Sequence, residues 1–148
     1  MRMTFLKDKK IFLISVCALV FFILDRVLKY LALEEKILLV KNYNLALSIN
    51  LNLPSIVILL LYVCIFVFLI YLLIKEFKKR NLLFLSFCSL IIIGLISNFI
   101  DRLKFGFVVD YINMYFFYNN LADVYIFVGV IFLLFFEMRK KNNKVDLL

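Results

Sequence analysis

The stretch LPSIVILLLYVCIFVFLIYLLI, residues 53–74, decides how the rest of the chain is read, because its 22 residues pass without a charged side chain. About 20 apolar residues of helix cross the hydrocarbon core of a bilayer, so this run predicts a membrane span. A second run follows at once: residues 81–100, NLLFLSFCSLIIIGLISNFI, are 20 more without a charge. Between them Lys75-Glu76-Phe77-Lys78-Lys79-Arg80 reads as a tight, solvated connection. Further out lie two interrupted segments. Ile11 to Leu24 is apolar, then meets Asp25, Arg26 and Lys29 before Tyr30-Leu31-Ala32-Leu33; Asn120 to Met138 carries Asp123 near its start. The expected fold class is an all-α membrane protein, with four transmembrane helices at about 11–33, 53–74, 81–101 and 120–138. Residues 1–148 form a single integral membrane domain, with a small extracytoplasmic β/loop element in the outer segments 34–52 and 102–119.

Composition agrees with that reading. Of 148 residues 66% are hydrophobic, against about 45–50% in soluble domains. There is no histidine. Ser-His and Cys-His nucleophilic sites, HExxH metalloproteases and most catalytic zinc sites are thereby excluded, since each needs an imidazole as base or ligand. Cys17, Cys64 and Cys88 stand singly in apolar runs with no CxxC pair. They read as small buried hydrophobes, with a bulky residue just ahead of each that speaks against lipid attachment. No metal and no cofactor is called for. The basic start and first apolar run resemble a secretory leader, but no Ala-x-Ala-like site follows and the pattern continues past Asp25, so an uncleaved first span is expected.

Charge gives the orientation. Arg2, Lys7, Lys9 and Lys10 precede the first span, Lys75, Lys78, Lys79 and Arg80 separate the second from the third, and Arg139, Lys140, Lys141 and Lys144 follow the fourth. Alternating spans put all three groups on one side, which the positive-inside rule makes the cytoplasm. The net charge of +8 then reports membrane topology, and no nucleic-acid partner is expected. The outer runs Lys36–Val40 and Ala46–Leu51 are β-prone and broken by Asn, which predicts a small sheet or hairpin within 34–52.

On this topology Asp25, Asp101, Asp110 and Asp123 gather at one depth near the outer interface. Charge at membrane depth costs a few kcal/mol or more per group, so it is usually paired or functional. Asp25 and Lys29 are spaced i,i+4 and can pair on one helix face. Asp101 has Arg102 and Lys104 beside it and reads as the solvated end of a helix. Asp110 and Asp123 differ: each lies among apolar or aromatic neighbours with no basic residue within five positions. Held close, two such carboxyls share a proton, so the ionised one can activate water while the protonated one donates to a carbonyl oxygen. That is peptide hydrolysis without histidine or metal. Proton or cation binding in a small proton-coupled transporter, using Asp25 or Asp123, is the alternative use. A non-catalytic membrane-assembly subunit is a third reading.

Five blocks of sequence then bear on the choice. Asp25-Arg26-Val27-Leu28-Lys29, Asn42-Tyr43-Asn44-Leu45-Ala46-Leu47-Ser48, Gly94 to Arg102, Gly106 to Ile112, and Asn120-Leu121-Ala122-Asp123 occur in that order on the predicted topology. Together they resemble the lipoprotein signal peptidases (signal peptidase II), four-span aspartic proteases of the bacterial cytoplasmic membrane, over essentially the whole chain. The resemblance implies a catalytic dyad of Asp110 and Asp123. Asn42, Asn98, Asp101, Arg102 and Asn120 would be its supporting and substrate-binding shell, with Asp25 and Lys29 as structural supports. It implies removal of the signal peptide from prolipoproteins carrying diacylglyceryl-cysteine, just before that cysteine, by a monomer that contacts membrane lipids and is inhibited by globomycin-type peptides. The location implied is the bacterial inner membrane, multi-pass, with the active site near the outer face. Asn44, Leu47 and Ser97 depart from the family pattern, which has Gly, Phe and Gly there. Tyr111, Tyr115, Phe116, Phe117 and Tyr118 read first as an interfacial aromatic belt, and otherwise as a substrate lid.

Overall fold

The computed structural model describes residues 2–44, 54–79 and 81–145. Four long helices carry the chain: α1 (Arg2–Leu33), α2 (Ser55–Lys78), α3 (Leu82–Phe105) and α4 (Leu121–Val145). Lys9–Leu33, Ile56–Lys78 and Leu82–Phe105 are each long and apolar enough to cross a membrane, and α4 holds a shorter apolar stretch, Leu121–Phe136. Their outward faces expose Phe12, Leu19, Phe68, Leu83, Leu134 and Phe135, the inverse of a soluble surface and the surface a lipid solvent selects.

The helix ends follow from local chemistry. Pro54, which has no N–H to leave unsatisfied, precedes α2. The Asn81 side chain caps α3 by accepting from the Phe84 N–H at 3.3 Å. At the other end Gly106 takes φ 78°, the left-handed conformation that costs glycine least, and its N–H closes on the Arg102 carbonyl. Helix α2 continues through Lys78, so most of the expected 75–80 connection is its last turn. Glu76 in that turn is buried, where its carboxylate accepts from Lys79 at 2.5 Å.

Helix α3 is the central element, packed against α1, α2 and α4. Its contact with α4 depends on small residues: a Cβ added at Gly94 would lie 2.5 Å from the Ala122 carbonyl oxygen, and one at Gly129 would lie 2.5 Å from Ile91 Cγ1. Ile58, Tyr62, Leu69, Phe84, Cys88, Ile91 and Leu95 form the apolar core between α2 and α3. Only Cys88 among the cysteines is buried. Cys17 and Cys64 lie on outward faces, correcting the expectation of three buried thiols: an apolar run in a membrane helix has no single inward stripe to read.

The expected small β element is present, and its described strands pair across the sequence. Strand β1 (Val40–Asn42) has its antiparallel partner 68 residues away in β2 (Val108–Asp110), with Val40 opposite Asp110 and Asn42 opposite Val108. The segment after α1 and the segment after α3 are thereby joined, and the run Ala46–Leu51 lies outside the described residues. A second ribbon joins β3 (Ile112–Asn113) to β4 (Tyr118–Asn119). Tyr115 at its tip has φ 67°, and Tyr115 and Phe116 are 98% and 97% exposed.

Candidate active site

The strand pair delivers Asp110 to the top of the helices, where Asp123 arrives from the first turn of α4. Asp110 is fully buried and Asp123 is 7% exposed. Both oxygens of Asp110 are occupied by neutral amides: Asn42 Nδ2 donates to Oδ2 at 2.9 Å, and Asn120 Nδ2 donates to Oδ1 at 2.6 Å. Asn120 also turns its Oδ1 to the Asp123 N–H at 2.9 Å, the N-cap geometry that starts α4. One side chain thus begins the helix carrying one acid and holds the carboxyl of the other. On the far side Asn98 Nδ2 donates to Asp123 Oδ1 at 2.7 Å.

Below this layer the cations and the other two carboxylates cancel. Lys29, with no exposed side-chain surface, pairs with Asp101 at 2.8 Å and Asp25 at 3.2 Å, and donates to Asn98 Oδ1 at 2.7 Å. That last bond fixes which way the Asn98 amide faces, and so turns its NH₂ towards Asp123. Arg26 pairs with Asp101 at 2.5 Å and reaches the Ser97 carbonyl at 3.2 Å. Among the described residues these two cations pair with Asp25 and Asp101 and with neither member of the Asp110–Asp123 pair. Among the described residues neither Asp110 nor Asp123 joins an ion pair. Burial consequently pushes the Asp110 carboxyl above the usual carboxylate range, partly offset by its bonds from Asn120 and Asn42. The two acids lie within electrostatic reach of each other.

Several sequence readings change here. Asp101 is not a solvated helix end: it is buried, its partners are Arg26 and Lys29 on α1, and its Oδ2 accepts from the Val109 N–H at 3.2 Å. Asp25 and Lys29 pair as expected, but Asp25 also accepts from Tyr111 Oη at 2.8 Å, Ala122 N at 3.1 Å and Ser97 Oγ at 2.5 Å. Tyr111 is therefore no belt residue. Its hydroxyl also accepts from the Leu121 N–H at 3.0 Å, tying the start of α4 to α1. Ser97, one of the departures from the family pattern, supplies a hydroxyl to the ion network. Arg102 stands apart from the dyad amides. It donates to the Asn44 carbonyl and lies 5.5 Å from the Tyr62 ring centroid, while its buried Nε has no partner among the described residues. Arg26, Ser97, Tyr111 and Tyr62 were not among the expected site residues. The i,i+1 position of Arg26 beside Asp25 was the one sequence cue available.

A family model for Signal peptidase (SPase) II matches residues 17–139, a span holding every carboxylate and amide of this site. The chain belongs to the signal peptidase II family. Signal peptidase II is a family of peptidases, and among its curated members the lipoprotein signal peptidase of Wigglesworthia glossinidia brevipalpis is 32% identical over 106 residues, covering 68% of this chain and 69% of that one. The lipoprotein signal peptidase of Buchnera aphidicola subsp. Schizaphis graminum (strain Sg) is 40% identical over 72 residues, 45% of this chain and 43% of that one. That alignment spans less than half of the Buchnera protein. A solved structure described as "Bacterial membrane enzyme structure by the in meso method at 2.3 A resolution" superposes with a TM-score of 0.72 at 26% identity, covering 88% of this chain and 90% of that one. The fold is thus one that this chain shares with a known membrane enzyme.

Proposed function

We propose that this protein is an intramembrane aspartic endopeptidase. It removes the signal peptide from prolipoproteins that carry diacylglyceryl-cysteine, cutting just before that cysteine. One observation carries the reading: two buried carboxyls, neither in an ion pair among the described residues, are joined through Asn120 beside an ion network of two cations and two carboxylates. Membership of the signal peptidase II family and the names of its relatives support the substrate class.

Asp110 and Asp123 are the catalytic pair and act as one unit with a shared proton. The ionised carboxylate takes a proton from water as the water oxygen adds to the scissile carbonyl. The protonated carboxyl gives its proton to the carbonyl oxygen, forming a neutral gem-diol. Collapse returns a proton to the departing amide nitrogen, the C–N bond breaks, and the other carboxylate regains the hydroxyl proton. Asn42, Asn98 and Asn120 hold both carboxyls in place without supplying charge, Asp101 anchors the strand before Asp110, and Asp25 with Lys29 fixes α1 beneath them. Arg102 faces the outer segment and binds substrate backbone.

The pair sits where α3 and α4 meet the outer strands, and the basic residues at the other ends of the helices favour cytoplasmic termini. The site then lies near the outer face of the bacterial inner membrane. A cysteine anchored by acyl chains meets the dyad there without leaving the interface. Surrounding lipids solvate those chains, the protein acts as a monomer, and cyclic peptides of the globomycin type compete for the site. The test is incubation of the purified protein in lipid with a diacylglyceryl-modified prolipoprotein and with its unlipidated form, with products read by mass spectrometry. A product beginning at the lipidated cysteine, formed only from the modified substrate, is expected. Release elsewhere in the chain, or an uncut modified substrate alongside proton flux into protein-loaded vesicles, overturns the proposal in favour of another protease specificity or a transporter.

A further inference from the structure

Gly106 ends α3 in the left-handed conformation and turns the chain so that the Phe107 ring stacks on Phe105, with centroids 5.8 Å apart. Strand β1 meets the same ring: Lys41 Nζ stands 5.4 Å from the Phe107 centroid, and the Tyr43 ring packs against it at 5.5 Å. Lys104, on the last turn of α3, holds its Nζ 5.1 Å from the Phe105 centroid. Both are cation–π distances, so each ring of the stacked pair carries an ammonium group. The patch is open. Lys41 and Lys104 are exposed, as are Tyr43 and Leu103 beside Lys104. Among the described residues neither lysine forms an ion pair, whereas Arg26 and Lys29 at the same end of the helices are matched by Asp25 and Asp101. Two positive charges therefore face outward with no carboxylate of the described residues against them.

We propose that Lys41, Lys104 and the Phe105–Phe107 pair form a binding site for the headgroups of anionic phospholipids. The order of chemistry along the patch is that of a bilayer interface: Leu103 near the end of an apolar span, then aromatic rings, then ammonium groups. A phosphate with no cation of its own complements the last layer, whereas a zwitterionic headgroup brings a positive charge that the lysines repel. The site adjoins the acid pair through the backbone. Lys41 precedes Asn42, whose amide donates to Asp110 at 2.9 Å, and Phe107 leads into β2, which carries Asp110. Headgroups bound there hold β1 and the end of α3 at one surface and so steady the strand pair that presents Asp110. The site goes beyond the peptidase reading and does not depend on it.

The test is hydrogen exchange read by mass spectrometry on the full-length protein, in nanodiscs of phosphatidylcholine and in discs that also contain phosphatidylglycerol. A lysine near an anionic surface contributes about fivefold to binding, so amides of residues 40–43 and 103–110 should exchange about fivefold or more slowly in the mixed discs. Lys41→Gln with Lys104→Gln, both exposed, should match wild type in phosphatidylcholine and lose the slowing. Phe107→Leu removes the ring that Lys41, Tyr43 and Phe105 share, and should weaken it. Lys75→Gln with Lys78→Gln, at the other end of the bundle, should leave it intact. Inorganic phosphate added to phosphatidylcholine discs should not reproduce it, which separates a headgroup held in the bilayer from a free anion. No slowing in the mixed discs, full slowing in the Lys41/Lys104 double variant or in Phe107→Leu, or the same slowing from inorganic phosphate would each overturn the proposal. Loss of the slowing in the Lys75/Lys78 variant would overturn it too, as an effect of overall charge.

Discussion

Replacing Lys29 by Met tests the ion network beneath the dyad. The lysine is fully buried, 2.8 Å from Asp101 and 3.2 Å from Asp25. At an effective dielectric constant of about 20, unit charges about 3 Å apart attract by roughly 5 kcal/mol. Two such pairs give about 10 kcal/mol of gross attraction, most of it offset by the desolvation of three charges. The net cost of removing one partner from a buried pair is about 3–5 kcal/mol, because the carboxylates left behind are uncompensated. Against a typical stability of about 5–15 kcal/mol, Lys29→Met should be severely destabilised. Neutralising one acid with it, as Lys29→Met with Asp25→Asn, leaves Arg26 opposite Asp101 and restores charge balance. The double variant should therefore recover a substantial part of the loss. Unfolding followed by circular dichroism in mixed micelles gives both free energies. A Lys29→Met protein within about 1 kcal/mol of wild type, or a double variant as unstable as the sum of its parts, would refute the account of a charge-neutral foundation.

Three further outcomes follow from the geometry. Asn120→Ala removes the α4 cap and a donor to Asp110, so stability should fall by about 0.5–2 kcal/mol while cleavage falls far more, by about 100-fold; both are read on one preparation. Asp110 is held above the usual carboxylate range chiefly by burial, so the folded state binds its proton more tightly than the unfolded chain does. Its contribution is present at pH below the unfolded value of about 3.9 and is lost as pH rises from there through the raised folded value. Asp110→Asn should accordingly gain stability relative to wild type at neutral pH, and the gain should vanish on acidification, as measured by thermal unfolding across pH. Gly94→Ala would put a Cβ 2.5 Å from the Ala122 carbonyl oxygen, a backbone atom that cannot turn aside, and should cost about 1–3 kcal/mol together with activity, since Asp123 is the next residue.

Much of this molecule is legible in its sequence, for definite reasons. Membrane spans announce themselves by length, and residues 53–74 and 81–100 leave no other reading. Asp110 and Asp123 stand out because an acid flanked by apolar side chains has no local partner, and the structure gives both of them amide donors. Asp25 and Lys29 were readable because i,i+4 pairing is a property of one helix. What sequence could not give is the register between helices. Asp101 has basic neighbours in sequence, yet its partners Arg26 and Lys29 come from α1, and only the packing of α1 on α3 decides that. The same holds for the β1–β2 pairing, whose three-residue strands are too short to carry a period. Tyr111 resembled a belt residue because it opens a run of aromatics; its hydroxyl contact with Asp25 is invisible without the fold.

The most direct test of the central claim is single-turnover cleavage of a diacylglyceryl-modified prolipoprotein by wild type, Asp110→Asn and Asp123→Asn, each shown to be folded and to bind the substrate. Wild type should cut before the lipidated cysteine while both variants bind but release nothing. Cleavage by either folded variant at a rate near wild type would contradict the dyad.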